Sequence, residues 1–156
     1  MVNIFNPKKP EFFYCTIHNF PLPPTINKQL TKAKFHRGFI KTKVARDFDE
    51  QVKKFYVEHS KDLANLGHLM NEYVYQGYGF TVDTTFYFPE KKLLTKEGRL
   101  KRLDASNRIK ATHDAIANIT AVDDQYIISG SFDKQISKAG QESCSVKISL
   151  IKIQYR

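Results

Sequence analysis

The chain has 156 residues, of which 41% are hydrophobic and 13% aromatic. This length fits one domain, 1–156, and this composition can fill an ordinary core, which excludes a disordered protein. Lys and Arg number 25 against 16 Asp and Glu, so the formal net charge is +9. A surplus of this size favours a polyanionic partner such as nucleic acid, although ribosomal, membrane-surface and plain soluble proteins can be equally basic.

The cysteines and the N-terminus predict a cytoplasmic protein with no membrane partner. Cys15 and Cys144 lie far apart in apolar stretches, and neither has a second Cys or a His at metal-ligand spacing. We therefore expect two reduced thiols in the core. The beginning of the chain lacks the apolar region of a signal peptide, and no stretch approaches the roughly 18 apolar residues of a membrane span.

The N-terminal third predicts a strand followed by a basic loop. The run 12–20 is aromatic and β-branched, which is typical of a strand, and the prolines that begin at Pro21 end it. From Lys28 to Arg46 the chain has seven Lys or Arg and no acid. We expect this loop to contact the polyanionic partner that the net charge favours. Its aromatic residues Phe35 and Phe39 either stack on bases or anchor the loop to the core.

A long helix is predicted next, from Thr42 to about Leu66. Apolar residues recur there at roughly helical spacing between charged ones, and Gly67 is interpreted as the C-terminal stop. The run 69–79 fits either an extension of this helix or a loop.

The remaining elements are read from alternation, helical spacing and turn residues. They are a strand at 80–88 closed by Pro89, a charged connection at 90–103 with a turn at Gly98, a second helix at 105–119, and strands at 125–132 and 143–155. The predicted order is β-α-β-α-β-β. We expect an α+β fold in which two helices pack on one face of a single small mixed sheet.

The stretch 99–127 contains the candidate catalytic and metal-binding residues. Either Asp104 or Ser106 can cap the second helix. At 100° per residue, Lys110 and Asp114 are neighbours on a polar face that Asp104 heads, away from the apolar stripe. After a short loop, the pair Asp123–Asp124 comes just before a strand.

Two interpretations of these acids remain open. They can be an ordinary surface ion pair, a helix cap and turn residues. Alternatively they bind a cation, because adjacent carboxylates repel one another and Mg²⁺ is commonly held by one or two carboxylates with phosphate and water. From Lys91 to Lys110 there are eight Lys or Arg and two acids. An acidic focus inside a basic surface suits an enzyme that cuts phosphodiesters.

The order of motifs resembles the RusA family of Holliday junction resolvases, found in bacteria and their phages. That family has a D-x-D-N-x-x-K-x-x-x-D segment and a later D-D pair, matched here by the run from Asp104 to Asp114 and by Asp123–Asp124. Its P-x-P-P-S-x-N stretch is matched from Pro21 to Asn27. The agreement covers nearly the whole chain. One departure concerns the metal: the second acid of the D-x-D pair is Ser106 here, a weaker and neutral ligand.

The resemblance implies a homodimer that resolves four-way DNA junctions by paired symmetric nicks. It implies Mg²⁺ or Mn²⁺ at Asp104, Asp123 and Asp124, and Lys110 as the catalytic or DNA-contacting cation. Ser106, where the family has an acid, could still reach the metal through water. Asp114 matches a family acid of undefined role. We expect basic and amide side chains of two segments to bind the DNA: Asn27, Lys28, Lys32, Lys34, Arg37, Arg99, Lys101, Arg102, Asn107 and Arg108.

Three alternatives remain beside this function. The chain could bind junctions without cutting them, with Ser106 marking the loss of metal affinity. It could be a nuclease for flaps or other branched DNA. From composition alone, it could be an RNA-binding or ribosome-associated protein, which the paired motifs disfavour.

Overall fold

The structure, a computed structural model, describes residues 1–6, 13–25, 28–32 and 39–152. Within these ranges the fold is α+β, with a mixed sheet that packs one face against helices, as predicted. Among the described residues, none of the helices combines the length and the apolar composition that a membrane span requires. The strands are β1 (Val2–Phe5), β2 (Tyr14–Phe20), β3 (Leu30–Lys32), β4 (Phe39–Lys41), β5 (Tyr78–Phe88), β6 (Ile127–Ser129), β7 (Phe132–Ile136) and β8 (Ser143–Lys152). The helices are α1 (Lys43–Glu58), α2 (Ser60–Tyr75), α3 (Glu90–Leu93) and α4 (Ile109–Thr120).

Strand β5 lies at the centre of the main sheet. The order is β1-β2-β8-β5, and both β6 and β7 pair in parallel with β5 on its other side. The long antiparallel pairing of β5 with β8 runs from Tyr78 opposite Lys152 to Tyr87 opposite Ser143. Strands β3 and β4 form a separate hairpin. The sheet is therefore mixed, as expected, and its longest strands carry the core.

The core lies between this sheet and the helices. Every second side chain of β5 is buried, from Phe80 through Val82 to Phe88, while the alternate positions are partly exposed. Strand β8 likewise buries Val146 and Ile148, which alternate with the exposed Lys147. This alternation is what a sheet with one covered face requires.

Both cysteines are buried and free, as predicted. Burial raises the pKa of Cys15 to about 12, and the nearby carboxylate of Asp62 adds to this. The thiols therefore belong to the core and take no part in the chemistry considered below.

The prediction for the first helix was wrong in two respects. The helix begins as expected after Thr42, whose side chain accepts from the backbone N–H of Ala45 at 3.2 Å. However, His59 departs from helical geometry (φ −124°, ψ 20°), so the segment is two helices. The second helix continues through Gly67 to Tyr75.

Gly67 is a packing residue and not a helix stop. A Cβ built at this position would lie 2.1 Å from the backbone oxygen of Thr120, at the C-terminal end of α4. Only glycine permits that approach, because any other residue carries a Cβ. Gly67 therefore lies where α2 and α4 are in close contact.

The C-terminal elements also differ in detail from the prediction. The second helix opens with a 3₁₀ turn at Ser106–Arg108 before α4 begins. The strand predicted at 125–132 is a 3₁₀ turn at Asp124–Tyr126 and then two short strands, interrupted at Gly130. A Cβ at Gly130 would lie 2.2 Å from the backbone oxygen of Val82, so the chain passes close to β5 there. Strands β1, β3 and β4 were not predicted, because runs of three or four residues give too little alternation.

Candidate active site

Asp104 stands at the entrance to α4. One of its carboxylate oxygens accepts from the hydroxyl of Ser106 at 2.7 Å and from the backbone N–H of Asn107 at 3.3 Å. The side-chain amide of Asn107 donates to the other oxygen. These bonds hold the pKa of Asp104 below its ordinary value, the Ser106 hydroxyl contributing most and the Asn107 N–H next. Asp104 thus stabilises the beginning of the 3₁₀ turn, close to its predicted role as a cap.

Lys110 joins two carboxylates one turn further along. Its ammonium lies 2.8 Å from Oδ1 of Asp114 and 3.1 Å from Oδ2 of Asp124. The first contact confirms that Lys110 and Asp114 are i,i+4 neighbours. The side chain of Asp114 raises the pKa of Lys110 most, followed by that of Asp124. In return, the hydrogen bond and charge of Lys110 lower the pKa of Asp124. Lys110 and Asp124 are therefore both charged at neutral pH.

The turn after α4 brings Asp124 back to this face. Ala121 ends the helix in the left-handed conformation (φ 54°, ψ 34°), and the chain reverses. Asp123 then accepts from the backbone N–H of Gln125 at 2.9 Å and caps the 3₁₀ turn that follows. Of the two adjacent acids, Asp123 is thus tied to its own turn, while Asp124 faces Lys110.

Apart from Asp123, these predicted site residues therefore form two hydrogen-bonded groups. One group is Lys110 with Asp114 and Asp124, and the other is Asp104 with Ser106 and Asn107. Across the parts of the chain that the structure describes, no three His, Cys, Asp or Glu side chains are gathered closely enough to hold a metal ion by themselves.

The residues predicted to bind DNA have three kinds of environment. Lys28, Lys32, Arg99, Lys101 and Arg102 are exposed. Asn107 is partly buried and is bonded to Asp104. Asn27, Lys34 and Arg37 lie outside the described residues, as does Phe35.

Arg108 is the exception among the described basic residues, because its side chain is partly buried. It donates to the backbone oxygen of Pro23 and lies over the ring of Phe88, 5.6 Å from the centroid. Burial lowers the pKa of Arg108. The guanidinium therefore links the proline segment to the turn that carries Asp104. Sequence reasoning gave no signal for this link, which joins residues far apart in the chain.

A wide groove of about 1330 Å³ runs between α1 and α4. Asp114, Asp123 and Asp124 line one side, and the other side includes Tyr56 and Val57 of α1. That α1 faces the acids could not be predicted, because helical periodicity shows which residues share a face but not what that face contacts. Three carboxylates thus line an open groove, and the ammonium of Lys110 bonds to two of them.

The chain belongs to the RusA endodeoxyribonuclease family. The family model described as Endodeoxyribonuclease RusA matches residues 21–150, nearly the whole chain. This family resolves Holliday junctions, and its nucleases normally need a divalent metal ion. No curated protein matches the chain significantly. The predicted family is therefore confirmed, and with it a nuclease that acts on branched DNA.

Proposed function

We propose that the chain resolves four-way DNA junctions by paired symmetric nicks, in a reaction that depends on Mg²⁺ or Mn²⁺. The observation that supports this most is the ammonium of Lys110 bridging Asp114 and Asp124 at the rim of an open groove. Phosphodiester hydrolysis requires preorganised charged groups that the substrate can reach, because they stabilise the negative charge that develops on the phosphate. Family membership supplies the substrate class.

The donor chemistry fits a divalent cation. Asp104, Asp123 and Asp124 offer carboxylate oxygens, which are hard ligands, and Ser106 adds a neutral oxygen beside Asp104. The lowered pKa values of Asp104 and Asp124 keep both groups in the ionised form that binds metal. Because Mg²⁺ is commonly held by only one or two carboxylates, water and substrate phosphate would complete the coordination. When bound, the cation would lower the pKa of a water molecule and offset negative charge on the phosphoryl group.

Lys110 would hold the scissile phosphate. An ammonium has three donors, and two of them meet Asp114 and Asp124, so one remains for a phosphate oxygen. Its raised pKa keeps the proton on Nζ throughout the neutral range, so Lys110 acts as a fixed positive charge and not as a base. That charge would stabilise the extra negative charge that develops on the phosphoryl oxygens.

The DNA backbone would be bound by the exposed basic residues of two segments. Arg99, Lys101 and Arg102 come shortly before Asp104, while Lys28 precedes β3 and Lys32 is its last residue. Contacts of this kind are independent of base sequence and weaken as salt rises. Arg108 is expected to hold the proline segment in place by donating to the backbone oxygen of Pro23.

A cleavage assay tests this function. A labelled synthetic four-way junction and a linear duplex of the same sequence are incubated with the protein in Mg²⁺, in Mn²⁺ and in EDTA. The proposal requires cutting of the junction, little cutting of the duplex and none in EDTA. Equal cutting of both substrates would contradict a junction resolvase, and binding without cutting in either metal would favour a silent junction-binding protein.

Ser106→Asp separates the active enzyme from that silent alternative. The serine hydroxyl now donates to Asp104, whereas an aspartate would add a second carboxylate beside it. We expect the variant to bind Mn²⁺ about tenfold more tightly and to cut faster at limiting metal, since a cation would remove the repulsion between the acids. Calorimetric titration with Mn²⁺ and cleavage at low Mg²⁺ measure both effects. Ser106→Ala is the control, and equal metal affinity in all three proteins would exclude Ser106 from the site.

Paired nicks require two active sites, and we propose that a second copy packs against the α1 side of the groove. Val57 is 72% exposed and Tyr56 40% exposed there, and Leu30 of the adjacent hairpin is 56% exposed. Apolar groups of this kind suit a protein partner better than a phosphate backbone. A two-stranded hairpin such as β3–β4 is also marginal unless something covers it.

Val57→Glu should therefore give a monomer. A charge at the centre of an apolar contact would be desolvated without a partner, which weakens association by about a hundredfold or more. Light scattering after size exclusion measures the mass. Tyr75→Glu is the matched control, because Tyr75 is 91% exposed on α2 and does not line the groove. A wild-type monomer, or a Val57→Glu dimer, would contradict this interface.

A further inference from the structure

Asp114 has no role in the function proposed so far, yet it makes the shortest contact to Lys110. Its Oδ1 lies 2.8 Å from the ammonium, against 3.1 Å for Oδ2 of Asp124. Both acids sit on an exposed surface, with side chains 46% and 42% exposed, so neither is needed for the core. The lysine is thus shared between an acid of its own helix and an acid from the following turn.

This sharing creates a conflict when Asp124 binds a cation. A metal held by Asp124 would withdraw negative charge from the carboxylate that bonds to Lys110, and the ammonium and the metal would repel each other. Lys110 needs a second anion if it is to stay in place. Asp114 is one helical turn away on the same face and already bonds to it, so it can hold the lysine alone.

We propose that Asp114 is a positioning residue, which keeps Lys110 over the site when Asp124 is occupied by the metal. The inference rests on the function proposed above. Free protein and metal-loaded protein then differ in a defined way: two carboxylates hold the ammonium in the first and one holds it in the second. Asp114 touches neither the metal nor the phosphate.

An ordinary surface ion pair would give the same distances, but the mobility of Lys110 would respond differently to added metal. A plain Lys110–Asp114 pair would add only slightly to helix stability, and its loss would leave Lys110 equally mobile with and without metal. The proposed role predicts instead that Asp114 matters for Lys110 only after metal is added. Lys53, paired with Glu50 at 2.7 Å on α1, serves as an internal control of the ordinary kind.

Nuclear magnetic resonance of the lysine ammonium groups tests this in the full-length, ¹⁵N-labelled chain. In the wild type, we expect the Lys110 ammonium to be restricted without Mg²⁺ and to stay restricted when Mg²⁺ saturates the protein. In Asp114→Asn, it should be restricted without Mg²⁺, since Asp124 still holds it, and should become mobile when Mg²⁺ is added. Lys53 should be unchanged throughout, which also verifies that the variant is folded.

Cleavage kinetics give the second measurement. Asp114→Asn should lower kcat about tenfold with the Kd for the junction changed by less than about twofold, and Asp114→Glu should recover most of the rate. Equal mobility of Lys110 in both proteins at saturating Mg²⁺ would overturn the positioning role while leaving the nuclease proposal intact. If Mg²⁺ perturbs neither Asp124 nor Lys110 in the wild type, the metal site itself, and with it the proposed function, is wrong.

Discussion

Asp124→Asn should lower the nicking rate on a four-way junction by about a hundredfold or more. Asparagine keeps the shape of the side chain but removes the charge that would bind the metal and that now bonds to Lys110 at 3.1 Å. The side chain is 42% exposed, so the loss should come without a loss of fold. Time courses on a labelled junction, with thermal melting alongside, measure the two effects separately.

Asp133→Asn is the matched control for this substitution. Asp133 is an exposed acid on β7 whose carboxylate bonds to the side-chain amide of Gln135, and it lies outside the groove. The Asp133→Asn protein should cut the junction at the wild-type rate. If Asp124→Asn also cut at that rate, Asp124 would be a turn residue and the site would have to be sought elsewhere.

Gly67→Ala should be the most destabilising single-methyl change in α2. On an open helix surface this substitution would stabilise by roughly 0.5–1 kcal/mol. Here the new Cβ would lie 2.1 Å from the backbone oxygen of Thr120, so α2 and α4 must separate. We expect a net loss of about 1–3 kcal/mol in the free energy of unfolding and a Tm lower by roughly 2–10 °C. Denaturant and thermal unfolding measure it.

The same substitution should also reduce cleavage, because Thr120 is followed directly by the turn that places Asp124. Asn65→Ala provides the control on the same helix, since Asn65 is exposed and alanine is a better helix former. That variant should be as stable as the wild type or slightly more so. A Gly67→Ala protein of unchanged stability would mean that α2 and α4 do not approach as closely as the structure has them.

The part of the site that follows from local periodicity was predictable. Lys110 and Asp114 are four residues apart on a helix, and helical geometry alone makes them neighbours. Asp124 reaches Lys110 only because Ala121 adopts the left-handed conformation, which alanine rarely does. No sequence pattern indicates a turn of that kind, so this contact could not be predicted.

Long-range contacts account for the other differences. Gly67 was interpreted as a helix stop because glycine commonly ends helices. The structure instead requires glycine there because the backbone of Thr120, more than fifty residues away, packs against it. The link from Arg108 to Pro23 also joins distant segments, whereas the basic run from Lys91 to Lys110 favoured a phosphate contact for Arg108. By contrast, β5 and β8 were predicted well, because long strands covered on one face alternate clearly.

The most direct test of the account is to map the nicks strand by strand. A four-way junction is labelled on each of its four strands in turn, and the products formed in Mg²⁺ are sized on a denaturing gel. The account predicts two nicks at symmetry-related positions on opposite strands, giving two linear duplexes, and their loss in Asp124→Asn. Unpaired cuts at unrelated positions, or the same pattern from Asp124→Asn, would contradict it.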